Sequence, residues 1–212
     1  MQLCQLQNIH SCSFIHRDIK PSNILIGTSQ QASTIYLINF SIVTLYRDPS
    51  THHHNTFKEC CGSLGSPVFS SINSDLGFEL GMWDDIEALV YVLLYFACGS
   101  LPWLGHTPCL ERDAIASMKQ DILQHDDIPK ALVTMLSYTQ SLSFMQKPDY
   151  NYLWTLVKGL CTDPLDLTTW LEWLCGDNTP SVYKSRPLVG GDCWRYLHIW
   201  HLVFETRLMI EY

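Results

Sequence analysis

The sequence predicts a mainly α-helical protein that carries one small β-hairpin. The second half contains four segments with apolar residues at helical spacing, separated by mostly polar or Pro-containing breaks. The first half contains two short β-branched runs, "NILIG" and "TIYLI", on either side of the polar stretch "TSQQAS". With 212 residues and 47% hydrophobic content, the chain is long enough to bury a substantial core.

The first element is expected to be a helix over residues 1 to 11, with Leu3 and Leu6 on its apolar side. The pattern starts abruptly at the first residue, which suggests the end of a truncated helix. The hairpin follows. Between residues 41 and 80, Gly, Ser, Pro, Asn and His recur so often that we expect a long ordered loop rather than any regular element.

The four predicted helices occupy roughly residues 82 to 98, 110 to 124, 129 to 143 and 149 to 160. The first is apolar at nearly every position after Glu87, so it should be buried on all sides and form the centre of the domain. Its apolar run, residues 88 to 98, is shorter than the roughly 20 residues that cross a bilayer. We therefore expect a buried core helix and no membrane contact.

The chain divides into a domain over residues 1 to 160 and a Trp-rich helical extension over residues 161 to 212. Four tryptophans of the extension are candidates for a patch that binds a protein partner: Trp170, Trp173, Trp194 and Trp200. The strings "WLEWL" and "YLHIWHLVF" have helical spacing, which favours the alternative that these residues pack against the preceding helices.

Charge and cysteine content limit the function classes. The net charge is −8 and only 13 Lys and Arg are spread along the chain, which argues against binding to nucleic acid, anionic lipid or acidic substrates. Nine irregularly placed cysteines without a secretory segment do not form the pattern of a disulfide scaffold. Reduced thiols and an intracellular location, cytoplasmic or nuclear, are the expectation.

One string carries the residue types that phosphoryl transfer needs. "HRDIKPSN" supplies a carboxylate, an amine and an amide within six residues. Asp18 would accept or orient the proton of an attacking hydroxyl, and Lys20 would face the negative charge of the transferred phosphoryl oxygens. Asn23 would offer an uncharged oxygen ligand to Mg²⁺, a cation that prefers oxygen.

The same residues also fit an ordinary surface turn in which His16, Arg17 and Asp18 make a salt bridge. For a match of three residues alone, the surface turn would be the better interpretation. The full string of eight residues is rarely met by chance, and it lies between the end of a helix and a hairpin. This context favours the catalytic interpretation.

Several strings together resemble one protein family. They are "FIHRDIKPSN", "YRD" with "THHH", "SIN", "DDIEALVYVLLYF" with "GSLPWLG", and "KPDYNYL". In this order they extend over residues 1 to about 160 and resemble the C-terminal lobe of a eukaryotic protein kinase of the casein kinase I family. "SIN", where most kinases have an APE-type signature, and "KPDY" are the family-specific pieces.

The resemblance implies a kinase C-terminal lobe without the N-terminal lobe, and ATP and Mg²⁺ as cofactors. Asp85 matches the helix carboxylate that hydrogen-bonds the backbone of the turn containing His16 and Arg17, which would support the site structurally. As an alternative or in addition, Asp85 is an acidic residue favoured at a helix N-terminus. Ser66 matches a family Thr that contacts the catalytic Asp and Lys, which here are Asp18 and Lys20.

The departures from the family pattern argue against catalysis. Asn39 stands in place of the Asp of the DFG triplet, so the site loses a negative charge that would hold Mg²⁺ against the nucleotide phosphates. Ser41 replaces the Gly of that triplet, and Val68 replaces an Arg that helps the family bind acidic or phosphorylated substrates. Metal binding at Asn23 and Asn39 is therefore expected to be degenerate.

The 212 residues also contain no GxGxxG loop and no VAIK-like strand. ATP and Mg²⁺ binding should be weak or lost, and the apolar surface that would face an N-terminal lobe should be exposed and able to bind a protein partner. We predict an inactive, truncated casein kinase I-like Ser/Thr kinase, acting as a pseudokinase-type binding module or present as a fragment. One alternative is an active ATP-dependent kinase completed by an upstream N-terminal lobe. The other is a helical interaction protein that binds no nucleotide.

A zinc site is a further alternative. The strings "THHHN" (51 to 55) and "ECC" (59 to 61) place three imidazoles and two thiols close together in sequence. Adjacent ligands do not have the paired spacing of common zinc sites, and the casein kinase I pattern has a Thr and histidines at this place. We therefore expect a polar loop without zinc.

Overall fold

A computed structural model describes residues 2–26, 35–59, 61–63, 65–104, 111–124 and 128–162. These residues form a mainly helical protein, as the sequence predicts, with two small two-stranded sheets instead of a single hairpin. The tip of the hairpin and the Trp-rich extension beyond Thr162, with its four tryptophans, lie outside the described residues.

Helix α1 (Gln2–Ser11) begins the fold and confirms the first predicted helix. Leu3 and Leu6 are buried in the main core, because their side chains lie one turn apart on the face that packs against the central helix. The chain then continues through strand β1 (Phe14–Ile15) into the loop that contains Asp18.

The predicted hairpin is confirmed. Strands β2 (Ile24–Ile26) and β3 (Ile35–Leu37) are antiparallel, and Leu25 lies opposite Tyr36. Side chains alternate between the two faces, so Ile35 and Leu37 are buried while Leu25 and Tyr36 point outward. A single turn of 3₁₀ helix, Pro21–Asn23, precedes β2 and places Asn23 at the start of the sheet.

The expectation of an irregular loop over residues 41 to 80 is wrong at two places. Strand β4 (Thr44–Leu45) pairs with β1, and helix α2 (Ile72–Asp75) forms one turn capped by the Ser71 hydroxyl, which accepts the Ser74 N–H at 3.1 Å. Two and four residues are too few to show a period in the sequence. Pairing with β1 and the Ser71 cap stabilise these short elements.

Helix α3 (Met82–Cys98) is the centre of the fold, with the predicted bounds. All its side chains are buried except the half-buried Tyr95, which confirms the prediction from its continuous apolar pattern. Asp84 accepts the N–H of Gly81 at 2.7 Å at its start. Gly99 ends the helix in the left-handed region, with φ of 69°.

The remaining predicted helices are confirmed with shifts of one to three residues at some ends: α4 (Arg112–Asp121), continued by the 3₁₀ turn Ile122–Gln124, α5 (Lys130–Ser141) and α6 (Tyr150–Thr162). Helix α5 packs on α3, α6 packs on α5, and α1 contacts both α3 and α6. In the described part of the chain, every helix is too short or too polar to cross a membrane.

Candidate functional site

The loop between β1 and β2 brings together three of the predicted site residues. Asp18 is buried, and its Oδ2 lies 2.7 Å from Lys20 Nζ. Asn23 Nδ2 donates to the same Oδ2 at 2.9 Å and to the backbone carbonyl of Asp18 at 2.7 Å. One carboxylate oxygen thus interacts with both an ammonium and an amide, a charge-assisted arrangement that orients all three side chains.

Asn39 lies at the same place because the hairpin is antiparallel. Asn23 precedes β2 and Asn39 follows β3, and the N–H of Ile38 donates to the Asn23 carbonyl at 3.0 Å. Asn39 Nδ2 donates to Asn23 Oδ1 at 3.2 Å, and Asn39 Oδ1 accepts the Ser41 hydroxyl at 2.9 Å. The amide oxygen of Asn23, the predicted Mg²⁺ ligand, is therefore already occupied by a hydrogen bond.

His16 joins the loop to the end of β3. Its ring is fully buried, and the only arrangement that suits both neighbours has Nε2–H donating to the Ile38 carbonyl at 3.1 Å. Nδ1 then accepts the backbone N–H of Asp18 at 3.3 Å. The imidazole therefore fixes the position of the Asp18 backbone relative to Asn39.

Arg17 has a strained backbone conformation, with φ of 67°. Asp85, at the start of α3, accepts the backbone N–H of His16 at 2.7 Å and that of Arg17 at 2.8 Å. The Arg17 side chain donates from Nε to the Ile42 carbonyl at 2.7 Å. Asp85 thus makes the backbone contact that the resemblance implies for it, and these bonds hold the turn before Asp18 in its unusual shape.

The electrostatics of this turn follow from burial. Burial by itself raises the pKa of Asp85, but hydrogen bonds and charge from His10 and the two backbone N–H groups outweigh it and hold the pKa below its usual value. Burial lowers the pKa of the Arg17 guanidinium, opposed by the charges of Glu79 and Asp85. Asp85 is therefore an ionised carboxylate beneath the loop.

Ser66 lies beside the site but not in its hydrogen-bond network. It lines a small cavity together with Arg17 and Asp18, yet its hydroxyl makes no hydrogen bond to Asp18 or Lys20 among the described residues. Its neighbour Gly65 has φ of 74°, and a Cβ there would lie 2.9 Å from the Arg17 carbonyl oxygen. Only glycine allows this approach between the two segments.

Sequence reasoning missed a buried lysine that holds the segment around Ser66. Lys119 is fully buried, and its Nζ lies 2.6 Å from Asp75 Oδ2, 2.9 Å from the Pro67 carbonyl and 2.6 Å from the Ser70 carbonyl. A lysine in an amphipathic helix is usually exposed, so its sequence position alone gave no indication of this role.

The surface next to the site is apolar. Leu25 and Phe40 are 47% and 54% exposed, and Tyr36 is exposed opposite Leu25. Phe40 follows Asn39 directly and packs edge-on against the His16 ring, with 5.2 Å between the ring centroids. The site therefore lies beside exposed apolar side chains.

The histidines of the alternative zinc site have separate surroundings. His54 packs against the rings of Tyr46 and Phe144, whereas His52 and His53 are exposed. In the described ranges, which exclude Cys60, no three His, Cys, Asp or Glu side chains are grouped so that they could hold a metal ion.

The chemistry available at the site is limited by its charge. Asp18 and Lys20 form a neutral pair, and the two asparagines add no charge. A divalent cation would meet one carboxylate whose Oδ2 is already paired, while Oδ1 has no partner among the described residues, and amide oxygens that each already accept one hydrogen bond. No family model matches the chain.

Proposed function

We propose that residues 1 to 160 form the C-terminal lobe of a casein kinase I-like Ser/Thr protein kinase fold that has lost catalysis and acts as a pseudokinase-type binding module. The proposal is supported by the motif resemblance together with the grouping of Asp18, Lys20 and Asn23 around one carboxylate oxygen. The roles of these residues and of ATP and Mg²⁺ come from that resemblance.

The observation that carries the loss of catalysis is the bond between Asn39 Nδ2 and Asn23 Oδ1. In a phosphotransfer site, oxygens at both positions would face a shared Mg²⁺. Here Asn39 presents an N–H donor, which repels a cation and bonds to the side-chain oxygen of Asn23. Without the cation, the triphosphate charge would be opposed at the described Asp18 loop by Lys20, which is already paired with Asp18.

A nucleotide-binding measurement and a transfer assay test this proposal. The purified 212-residue chain is melted with ATP, with and without Mg²⁺, because binding to the native state must raise the melting temperature. We expect no Mg²⁺-dependent rise and no transfer of radiolabelled phosphate to protein substrates. Transfer that disappears in Asp18→Ala would contradict the proposal.

The exposed apolar residues Leu25, Tyr36 and Phe40 favour a second candidate, in which a protein partner covers this face. Such a partner could be an upstream N-terminal lobe, which would supply the glycine-rich loop and strand lysine of an active kinase. Adding a casein kinase I N-terminal lobe as a separate polypeptide tests this alternative. Asp18-dependent phosphate transfer only in its presence would support completion, and absence of transfer despite binding would support the inactive module.

If neither nucleotide nor an N-terminal lobe binds, the remaining candidate is a helical interaction protein that has kept only the scaffold. The same melting experiment distinguishes it from the pseudokinase, because a pseudokinase that retains a nucleotide site is stabilised by ATP without Mg²⁺, whereas a pure interaction protein is not.

A further inference from the structure

Three buried side chains from distant parts of the chain form a continuous series of hydrogen bonds beneath the candidate site. The Tyr150 hydroxyl, at the start of α6, bonds to His10 Nδ1 near the end of α1. His10 Nε2 bonds to Asp85 Oδ2 at 2.9 Å. Asp85 in turn accepts the backbone N–H groups of His16 and Arg17. Tyr150, His10 and Asp85 are 4%, 2% and 1% exposed.

The direction of these hydrogen bonds follows from the charge of Asp85. An ionised carboxylate only accepts, so His10 Nε2 must donate to it. On the other side of the ring, Nδ1 bonds to the Tyr150 hydroxyl, so the imidazole is held from both sides. Burial, with the charge of Asp85 adding to it, raises the pKa of Tyr150, so its hydroxyl stays protonated. The Tyr46 hydroxyl donates to the His10 carbonyl at 2.9 Å and fixes the backbone there.

The series of hydrogen bonds ends at the backbone of Arg17, which has an unusual conformation. Arg17 keeps a φ of 67°, which non-glycine residues adopt rarely because it is energetically unfavourable. The N–H of His16 donates to Asp85 Oδ2 and the N–H of Arg17 donates to Asp85 Oδ1, so the two bonds together require one orientation of this carboxylate. His10 is the side chain that fixes this orientation from the far side, and Tyr150 fixes His10.

We propose that Tyr150 is a positioning residue for the Asp18 site, acting through His10 and Asp85 on the backbone of residues 16 and 17. The link makes the conformation of the loop depend on the docking of α6 against α1. The inference relies on the proposed function only in taking the Asp18 loop as the site, because the contacts themselves involve no nucleotide.

Residue-resolved amide hydrogen exchange of the full chain tests the proposal. Tyr150→Phe removes only the hydroxyl, and we expect the His16 and Arg17 amides to exchange roughly three- to tenfold faster, as for the loss of one net hydrogen bond. Tyr138→Phe is the matched control, because the Tyr138 hydroxyl accepts the Asp149 N–H at 2.7 Å at the same end of α6 but does not contact His10. It should leave both amides unchanged.

The same substitution in an Asp85→Asn background shows whether Tyr150 acts through Asp85. If it does, Tyr150→Phe should no longer accelerate the two amides there. Equal acceleration in both backgrounds, or acceleration spread evenly over all core amides, would overturn the proposal. If Asp85→Asn does not fold, the comparison of Tyr150→Phe with Tyr138→Phe still decides. Because exchange is measured without nucleotide, a negative result would leave the proposed function untouched.

Discussion

Introducing one negative charge at Asn39 should make the stability of the protein depend on Mg²⁺. Asn39→Asp replaces the Nδ2 donor, 3.2 Å from Asn23 Oδ1, with an oxygen that repels it. The lost hydrogen bond contributes about 0.5 to 1.5 kcal/mol to the free energy of unfolding. Because Asn39 is exposed, repulsion between the new charge and Asp18 is screened and adds about 1 kcal/mol at most.

Without divalent cations, the variant should therefore be about 1 to 2 kcal/mol less stable than the wild type. For a chain of this length, this corresponds to a fall in melting temperature of about 2 to 8 °C. With Mg²⁺ the new carboxylate, Asn23 Oδ1 and Asp18 can share the cation, so the loss should be partly or wholly reversed. The wild type should show no such response.

Thermal melts in EDTA and in Mg²⁺ measure this effect at constant ionic strength. Asn39→Ala removes the same hydrogen bond without adding charge, so it should be destabilised but should not respond to Mg²⁺. Asn8→Asp adds the same charge on an exposed position of α1 that is not part of the site, and controls for general charge effects. The reasoning is refuted if Mg²⁺ stabilises the wild type as much as Asn39→Asp, or if it stabilises neither.

Three further substitutions test the scaffold around the site. Lys119→Met leaves the Asp75 carboxylate without its buried partner, so urea unfolding should show a free energy of unfolding lower by about 3 to 5 kcal/mol. A decrease below about 1 kcal/mol would mean that the pair is dispensable. Gly65→Ala forces a Cβ against the Arg17 carbonyl at positive φ, so the melting temperature should fall by several degrees, and an unchanged value would contradict the close contact. Burial raises the pKa of Asp84 well above 3.8, so the contribution of this group to stability should decline as the pH rises from 3.8 towards that raised value. The stability lost by the wild type relative to Asp84→Asn over this range measures that contribution, and parallel profiles of the two proteins would show that Asp84 is not responsible.

The sequence predicted those parts of the fold that have a long period or a local turn signal. The bounds of helix α3 could be predicted because its 17 residues show a sustained apolar pattern. The hairpin was found because two β-branched runs flank a polar stretch. Strand β4 and helix α2 were missed, since they are stabilised by partners elsewhere in the chain rather than by their own composition.

The same distinction applies to the site. Asp18, Lys20 and Asn23 lie within six residues, so their grouping could be predicted from spacing alone. The buried pairs that support the surrounding structure join residues much further apart in the sequence. Tyr150 is 140 positions from His10, and Lys119 is 44 positions from Asp75. No spacing rule connects such pairs, because they meet only when α6 packs against α1 and α4 packs against α2.

The geometry of the site and its charge are supported by different residues, and this explains how one can be lost without the other. The turn before Asp18 is held by Asp85, His16 and Gly65, all of which act on the backbone. None of these contacts involves Asn39, whose side chain is exposed and bonds only to Asn23 and Ser41 among the described residues. An amide in place of a carboxylate at residue 39 removes the attraction for a cation. It disturbs none of the contacts that hold the backbone of the Asp18 loop. Under the proposed function, a chain of this kind can therefore lose phosphoryl transfer while the loop keeps the shape that a binding partner would recognise.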